Sequence, residues 1–550
     1  VRLDRRAKRL IPQPLSVSQT SALPFKPQAI TLLVIALSTL ARLWFVATGQ
    51  LDLVQDEAQY WDWSRTLQLS YYSKGPLVAY IISLGTWLFG DTELGVRFGA
   101  VAGSCLMQIV LYLGVARLFQ QPKLGVWCLV VINTTLFFLA NSVLMTTDNP
   151  LALFWLCSAF CMYWAAFGKR QFLALCLLAL CLALGLMAKY LMLAFGLTAL
   201  FFVWGLHRNQ MLPKGLILKL GIATLLGLAL GALPILLWNL DNDFVSFRHV
   251  ASLAGVAETN GKPLIRLDTL PEFLGSQIGL STPWWFLLLM IEGWRSGMNG
   301  FFPTRARVLY QDKEEERPDP RVDALLSAGF WPVFLFFLVW SLHTKIYPNW
   351  PGVCYLTGVV LGARIAMRIM ARLRDPEARA KWQPKALAVC LALGGVLFLG
   401  LHLQNWLPVP ADYNPMHRLK GWRHLGEQVQ EFKETAFEDA DRVFFFSDEY
   451  DITAALAFYI PERPRTFCAF VDRRMSQYDL WPGPEENVGW DAIYVRKRFK
   501  PMSEFLRAMF ESVEDVEFQS FHWGEPARKF TVSLCRNFQG PWPSADNLHY

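Results

Sequence analysis

Charged side chains are scarce in this chain: Asp, Glu, Lys and Arg make up 18% of its 550 residues, against about 25% in soluble proteins. Histidine is scarcer, with eight residues. Ten cysteines occur, but eight of them (Cys105, Cys128, Cys157, Cys161, Cys176, Cys181, Cys354 and Cys390) fall inside apolar runs without metal-ligand spacing, where they act as small hydrophobes. These shortages exclude a soluble enzyme with a conventional charged surface and a cysteine-rich metalloprotein. What fills their place is apolar: 53% of residues are hydrophobic, with 40 Phe and 22 Trp and a mean hydropathy of +0.27. A soluble fold of this size has no interior able to hold that much, so the excess faces lipid. The net charge of +7 comes from Lys and Arg gathered in short loops, a membrane-orientation pattern rather than a nucleic-acid footprint.

Runs suited to crossing a hydrocarbon layer lie near 29–47, 94–118, 123–140, 150–168, 171–188, 190–206, 215–238, 275–293, 325–342, 351–370 and 385–405, about eleven in all. The first follows a basic stretch (Arg2, Arg5, Arg6, Lys8, Arg9) but is long enough to span, so it reads as a retained helix rather than a cleaved signal. Loops on the side of the N-terminus hold far more Lys and Arg than those opposite, placing the N-terminus in the cytoplasm. An odd number of crossings carries the C-terminal region to the outer side, the periplasm of a double-membraned bacterium. The expected organisation is a cytoplasmic segment 1–28, a membrane region 29–405 and an outer domain 406–550. Pro76–Phe89, apolar but short, suits a helix lying in the interface, with Tyr60, Trp61 and Trp63 at the same depth. Asp312–Arg321, with both charge signs and two prolines, reads as a solvated loop.

From about Pro415 the composition becomes that of a soluble domain. A helix near 415–436, strand-like RVFFFSDE (Arg442–Glu449), helix-like DITAALAFYI, strands RTFCAFV and DAIYVRK, a helix near 501–514 and a strand near 529–536 predict a small α/β layer domain. It carries no Gly-rich phosphate loop. Cys468 and Cys535 fall in it, either as a disulfide or as two buried thiols.

The sharpest chemical feature is Asp56–Glu57, adjacent acids just outside the first span. A carboxylate there can take a proton from an attacking hydroxyl or amine; the pair also suits a turn or a helix N-cap. Asp148, in NSVLMTTDNP at the mouth of an apolar helix, can cap that helix or share a cleft with Asp56. Lys74, Arg97, Lys189 and Lys345 stand at the outer boundary, where positive charge is otherwise depleted. They suit holding a phosphate leaving group or snorkelling to headgroups. Tyr60 and Tyr71 are further candidates for lining a substrate site. His249 and His343 are outer-side candidates for a metal, but lone histidines more often pack, and no required metal or cofactor is expected.

Together, Asp56-Glu57-Ala58, YYSKGPL (Tyr71–Leu77), GDTELGVRF (Gly90–Phe98), MTTDNPLALFW (Met145–Trp155), GLMAKY and IYPNWP resemble, in order and spacing, the bacterial branch of the protein O-mannosyltransferase superfamily, which includes the lipid A aminoarabinose transferases. SDEYDITAALAFYIPERP, SQYDLWPGP and DAIYV resemble the soluble tail of many bacterial members. The resemblance implies a GT-C fold, mainly α and polytopic, and an inverting transfer of a sugar from a polyprenyl phosphate to a lipid, glycan or protein acceptor, with no nucleotide sugar at the site. Carried over, Asp56 matches the family's essential first-loop acid, Glu57 its neighbour, Lys74 the basic residue of the second motif and Asp148 the later loop acid. Aminoarabinose transferases have a carboxylate before that lysine where this chain has Ser73, which puts a metal site like theirs in doubt. The expected scheme gives Asp56 the acceptor, Lys74 the donor phosphate with Arg97, Lys189 or Lys345 assisting, Asp148 a positioning role, and Asp241–Glu272 the role of a lid. The competing classes are a lipid-linked glycan transporter, which needs charges within helices and internal repeats, and a non-catalytic assembly subunit, for which Asp56 is dispensable.

Overall fold

The computed structural model describes residues 26–253, 266–309, 317–371, 382–406, 416 and 419–543. The expected N-terminal segment up to residue 25, residues 254–265 of the expected lid and residues 310–316 of the mixed-charge loop lie outside the described residues.

Among the described residues, nine helices are long and apolar enough to cross a membrane, from Pro27–Ala47 to Gln383–His402, and a bent pair brings the number to ten. The difference from eleven has two local causes. The expected 123–140 span stops at Asn133, because Thr134 and Thr135 turn their hydroxyls back onto the Val130 and Val131 carbonyls and a separate short helix, Leu136–Asn141, follows. The expected 275–293 span is Thr269–Leu280 and Pro283–Phe301, bent by 101° where Thr282 adopts φ +60° ahead of Pro283. The peripheral helices expose leucine along whole faces, as at Leu32, Leu33, Leu37 and Leu40 or Leu225, Leu226, Leu230 and Leu233. Water would leave such faces unstable; acyl chains cover them. Leu77–Phe89, with 13 residues, is a separate helix too short to span.

The C-terminal unit is an α/β layer structure. Five strands, β1 Val443–Ser447, β2 Thr466–Cys468, β3 Asp491–Lys497, β4 Phe510–His522 and β5 Glu525–Phe538, form one sheet in the order β2-β1-β3-β5-β4. The first three run parallel and β5 lies antiparallel to both β3 and β4. Alternation sends Phe445, Ile493, Val495 and Val532 to a face covered by helices Trp422–Ala436 and Tyr450–Tyr459, and Phe444, Phe446, Tyr494 and Cys535 to the other. Cys468 belongs to the first face and Cys535 to the second, so the two are separate buried thiols. Where a helix near 501–514 was expected, only Glu504–Arg507 is helical and β4 begins at Phe510. A two-residue turn, Trp523–Gly524 with φ of +52° and +83°, matches the twist of paired strands and pins β4 to β5.

The C-terminal unit is welded to the helical region. Trp61, on the short helix Gln55–Ser64, meets Phe458 edge-on with ring centres 4.9 Å apart, and both belong to a single apolar cluster with Ile82, Val96 and Trp422. The Tyr478 hydroxyl donates to Asp62 (2.9 Å), and the Leu53 amide donates to the Tyr459 hydroxyl (2.6 Å).

Candidate active site

The Gln55–Ser64 helix sends its two adjacent acids in different directions, as a turn of about 100° per residue requires. Glu57 points inward. Its carboxylate accepts from Arg97 (Nε 2.9 Å, Nη2 2.6 Å), from the Val54 amide (2.9 Å) and from the Met145 amide (2.7 Å). Arg97 completes its fork on the Leu51 and Asp52 carbonyls, both at 2.8 Å. With exposures of 0% and 1%, the two side chains knit the loop after the first span to the helix Glu93–Leu113 and to the loop leading into Asp148. Arg97, expected to assist with a phosphate, is therefore committed to structure, because its donors already serve a buried carboxylate and two carbonyls.

Asp56 points the other way, and its side chain is open to solvent. Its proton affinity is raised, first by the protein packed around it; Lys74 opposes this, while Asp148, Asp451 and Glu57 reinforce it.

Lys74 comes from the YYSKGPL turn, and Gly75 brings it there. A Cβ at that position would stand 2.2 Å from the Met187 carbonyl oxygen, so only glycine lets the turn press on the end of the Gln171–Ala188 helix. Two residues past Met187 the helix breaks and Lys189 takes an extended conformation. Lys74 is thereby set beside Lys189: burial first, then the Lys189 charge, lowers its proton affinity, while Asp56 and Asp148 hold it up. Asp148 does not cap its helix. One carboxylate oxygen accepts from Lys189 Nζ (2.7 Å) and the other from Asn349 Nδ2 (2.6 Å).

The structure thus gathers Asp56, Lys74, Asp148 and Lys189. Tyr60, one turn after Asp56 and buried, lies within electrostatic reach of Asp56, Asp148 and Tyr450. Tyr71 does not join them: its ring stacks on Trp63 (4.6 Å) and its hydroxyl donates to the Trp63 carbonyl (3.0 Å), making it part of the turn's scaffold. Lys345 points outward and pairs with Glu272 at 2.6 Å. Its segment reaches the site through Asn349 and Tyr347 instead, the latter beside Tyr450. Asn349, Tyr347, Tyr450 and Asp451 were not singled out in the sequence, although all four stand in motifs that carried the resemblance, IYPNWP and SDEYDITAAL. Among the described residues no three His, Cys, Asp or Glu side chains converge as a ligand set, and His249 and His343 share none. A cavity of about 500 Å³, lined by Thr48, Thr92, Glu93, Arg423 and Trp523, contains none of the four gathered residues.

The class of protein that the fold and site define is a polytopic α-helical protein with an accessible acid near two clustered lysines. Residues 73–238 match the family described as dolichyl-phosphate-mannose-protein mannosyltransferase. The chain is 26% identical over 386 residues to the lipid A galacturonosyltransferase RgtD of Rhizobium johnstonii, covering 68% of this chain and 71% of that one. It is 31% identical over 157 residues to the undecaprenyl phosphate-alpha-4-amino-4-deoxy-L-arabinose arabinosyl transferase of Erwinia tasmaniensis, covering 27% of this chain and 28% of that one. The crystal structure of ArnT from Cupriavidus metallidurans in the apo state superimposes with a TM-score of 0.57 at 14% identity, over 94% of this chain and 99% of that one. In sequence the chain is thus similar to galacturonosyl and aminoarabinosyl transferases, and it shares the fold of the ArnT structure.

Proposed function

We propose that this protein transfers a monosaccharide from a polyprenyl phosphate to an acceptor at the outer face of the cytoplasmic membrane. The observation that carries this reading is the meeting of Asp56, open to solvent, with Lys74, Lys189 and Asp148. Relatives named for lipid A galacturonosyl transfer and undecaprenyl-phosphate-linked aminoarabinose transfer, and the ArnT structure bound to undecaprenyl phosphate, support a polyprenyl-phosphate donor and a lipid or glycan acceptor.

An acceptor hydroxyl or amine attacks the anomeric carbon from the face opposite the phosphate, inverting it. The bond from that carbon to the phosphate oxygen breaks, and the acceptor's proton passes to the Asp56 carboxylate. Negative charge grows on the leaving phosphate. Lys74, whose hold on its proton is weakened by burial and by the neighbouring Lys189 charge, is relieved by it, which makes the two lysines its natural counter-charge. Asp148 and Asn349 keep Lys189 aimed. The site is expected to need no cofactor. The excess of basic loops on the opposite side supports a periplasmic location for the site and for the C-terminal domain.

Asp56→Asn tests the proposal in purified protein with a radiolabelled polyprenyl-phosphate sugar. Transfer should fall by at least about 100-fold, the scale of a lost general base, with melting temperature and undecaprenyl phosphate binding unchanged. Undiminished transfer would end the proposal.

A further inference from the structure

The sheet of the C-terminal unit has an overhang. β3 pairs with β5 only between Phe530 and Cys535, whereas β4 follows β5 as far as Glu525. Past Phe518 and Phe530 the two strands run on alone, a ribbon about 15 Å long at the rise of an antiparallel strand, to the turn at Trp523–Gly524. A lone two-stranded ribbon is marginal in water, and this one is braced from the side. The Phe521 amide donates to His424 Nδ1 (3.0 Å), and His522 Nε2 donates to the Gln50 carbonyl (3.1 Å). Gln50 stands just past the first span, so the ribbon's tip is held where that helix ends.

We propose that the cavity flanked by this tip binds the zwitterionic headgroup of an ethanolamine phospholipid of the bilayer, with its phosphate on Arg423 and its ammonium near Glu93.

Three tryptophans mark the depth. Trp523 meets Trp406 edge-on with ring centres 5.4 Å apart, and Trp406 stacks on Trp44 at 5.3 Å. Trp44 lies in the last turn of the Pro27–Ala47 span and Trp406 just beyond the Gln383–His402 span. All three are exposed, Trp523 by 52%. Exposed indoles at the ends of spans belong to the membrane interface, where the ring and its N–H meet different surroundings.

The cavity of about 500 Å³ lies at this level and has the size of a small-molecule site. Val46 and Ala47 at the end of the first span, Phe89 at the end of Leu77–Phe89, and Trp523 supply apolar flanks. Arg423 and Glu93 are the charged residues of its described lining. Arg423 Nη2 donates to Glu93, the guanidinium is half-exposed, and its other donors are uncommitted among the described residues. A cation and an acid side by side suit a headgroup carrying both signs. A purely anionic one would satisfy Arg423 but meet Glu93 as a like charge. Along the first span, Trp44, Leu40, Leu37 and Leu33 continue one exposed stripe at helical spacing, a path for the acyl chains. None of the residues assigned to sugar transfer lines this cavity, so the lipid is a bilayer component rather than a reactant, and the inference stands apart from the transferase reading.

Full-length protein in detergent, titrated with dihexanoyl phosphatidylethanolamine or dihexanoyl phosphatidylglycerol and read by native mass spectrometry, tests this. The wild type should retain one ethanolamine lipid and hold the glycerol lipid several-fold less tightly. Arg423→Gln should weaken the ethanolamine lipid about ten-fold, the loss of a charge-assisted hydrogen bond. That change also takes the cation from Glu93, so Trp523→Ala, in a turn outside every helix, is the second variant and should weaken binding about three-fold. Phe505→Ala removes a similarly exposed ring from the helix on the sheet's other face and should change nothing. The proposal is overturned if the wild type holds no ethanolamine lipid, if it holds both lipids equally, if Arg423→Gln and Trp523→Ala bind as the wild type does, or if Phe505→Ala loses the lipid.

Discussion

Replacing Arg97 with alanine distinguishes a structural cation from a phosphate-holding one. The substitution strands the Glu57 carboxylate, 0% exposed, together with the Leu51 and Asp52 carbonyls that the guanidinium serves. Breaking a buried ion pair from one side costs about 3–5 kcal/mol. Each orphaned carbonyl adds roughly 1–3 kcal/mol unless water reaches it. The sum is comparable with the whole stability of many proteins, about 5–15 kcal/mol. Arg97→Ala should therefore fail to accumulate, or melt far below the wild type by fluorescence-detected size exclusion in detergent. Arg97→Lys should recover little, because an ammonium cannot span two carboxylate oxygens and two carbonyls at once. Pairing Arg97→Met with Glu57→Gln removes both charges and should recover more than half of the loss in a double-mutant cycle. The reasoning is refuted if Arg97→Ala melts within ~2 °C of the wild type, a difference of under about 1 kcal/mol, while losing undecaprenyl phosphate binding.

Lys74→Gln should fold normally and bind undecaprenyl phosphate about 10–100-fold more weakly, the scale of a charge-assisted hydrogen bond, as measured by quenching titration; unchanged affinity would remove Lys74 from the donor site. Gly75→Ala places a Cβ 2.2 Å from the Met187 carbonyl oxygen, so the turn must lift and carry Lys74 from Lys189; transfer should drop steeply while the protein remains monodisperse. The Asp56 carboxyl, raised by burial, is raised further by Asp148, Asp451 and Glu57 and lowered by Lys74. Asp451→Asn should thus move the acidic limb of kcat/KM to lower pH, and movement to higher pH contradicts the assignment. His249 is pushed down to about 4 by burial and then by Lys74 and Arg474. Between its ordinary value of 6.5 and that point, the unfolded chain takes up a proton that the folded one refuses, so stability falls as pH drops through this window. His249→Gln should flatten that part of a Tm-against-pH curve.

Where the sequence was readable, the reason was local. Apolar runs of spanning length, the basic loops between them and the alternation in RVFFFSDE and DAIYVRK act within one segment, and the helices and strands formed there. The errors arose where one residue outweighed the average of its window. Two threonine hydroxyls ended the 123–140 run, and Thr282 with Pro283 folded the 275–293 run into a right-angled pair. The stretch 501–514 reads as a helix, while the positive-φ turn at Trp523–Gly524 commits its second part, from Phe510, to pairing with β5. Arg97 and Lys74 looked alike as cations at the outer boundary; one meets a buried glutamate and the other a second lysine and two carboxylates.

By itself the sequence determined that this protein lives in a membrane, that it ends in a small α/β unit and which motifs carry the chemistry, because burial preference and turn chemistry are properties of short stretches. The tertiary structure decided which of two neighbouring acids is open to solvent, which cations remain for a phosphate, and that Tyr450, almost 400 residues from Asp56 in the chain, lies within electrostatic reach of it. Those choices depend on helix rotation and on contacts between distant segments, and no local pattern encodes them.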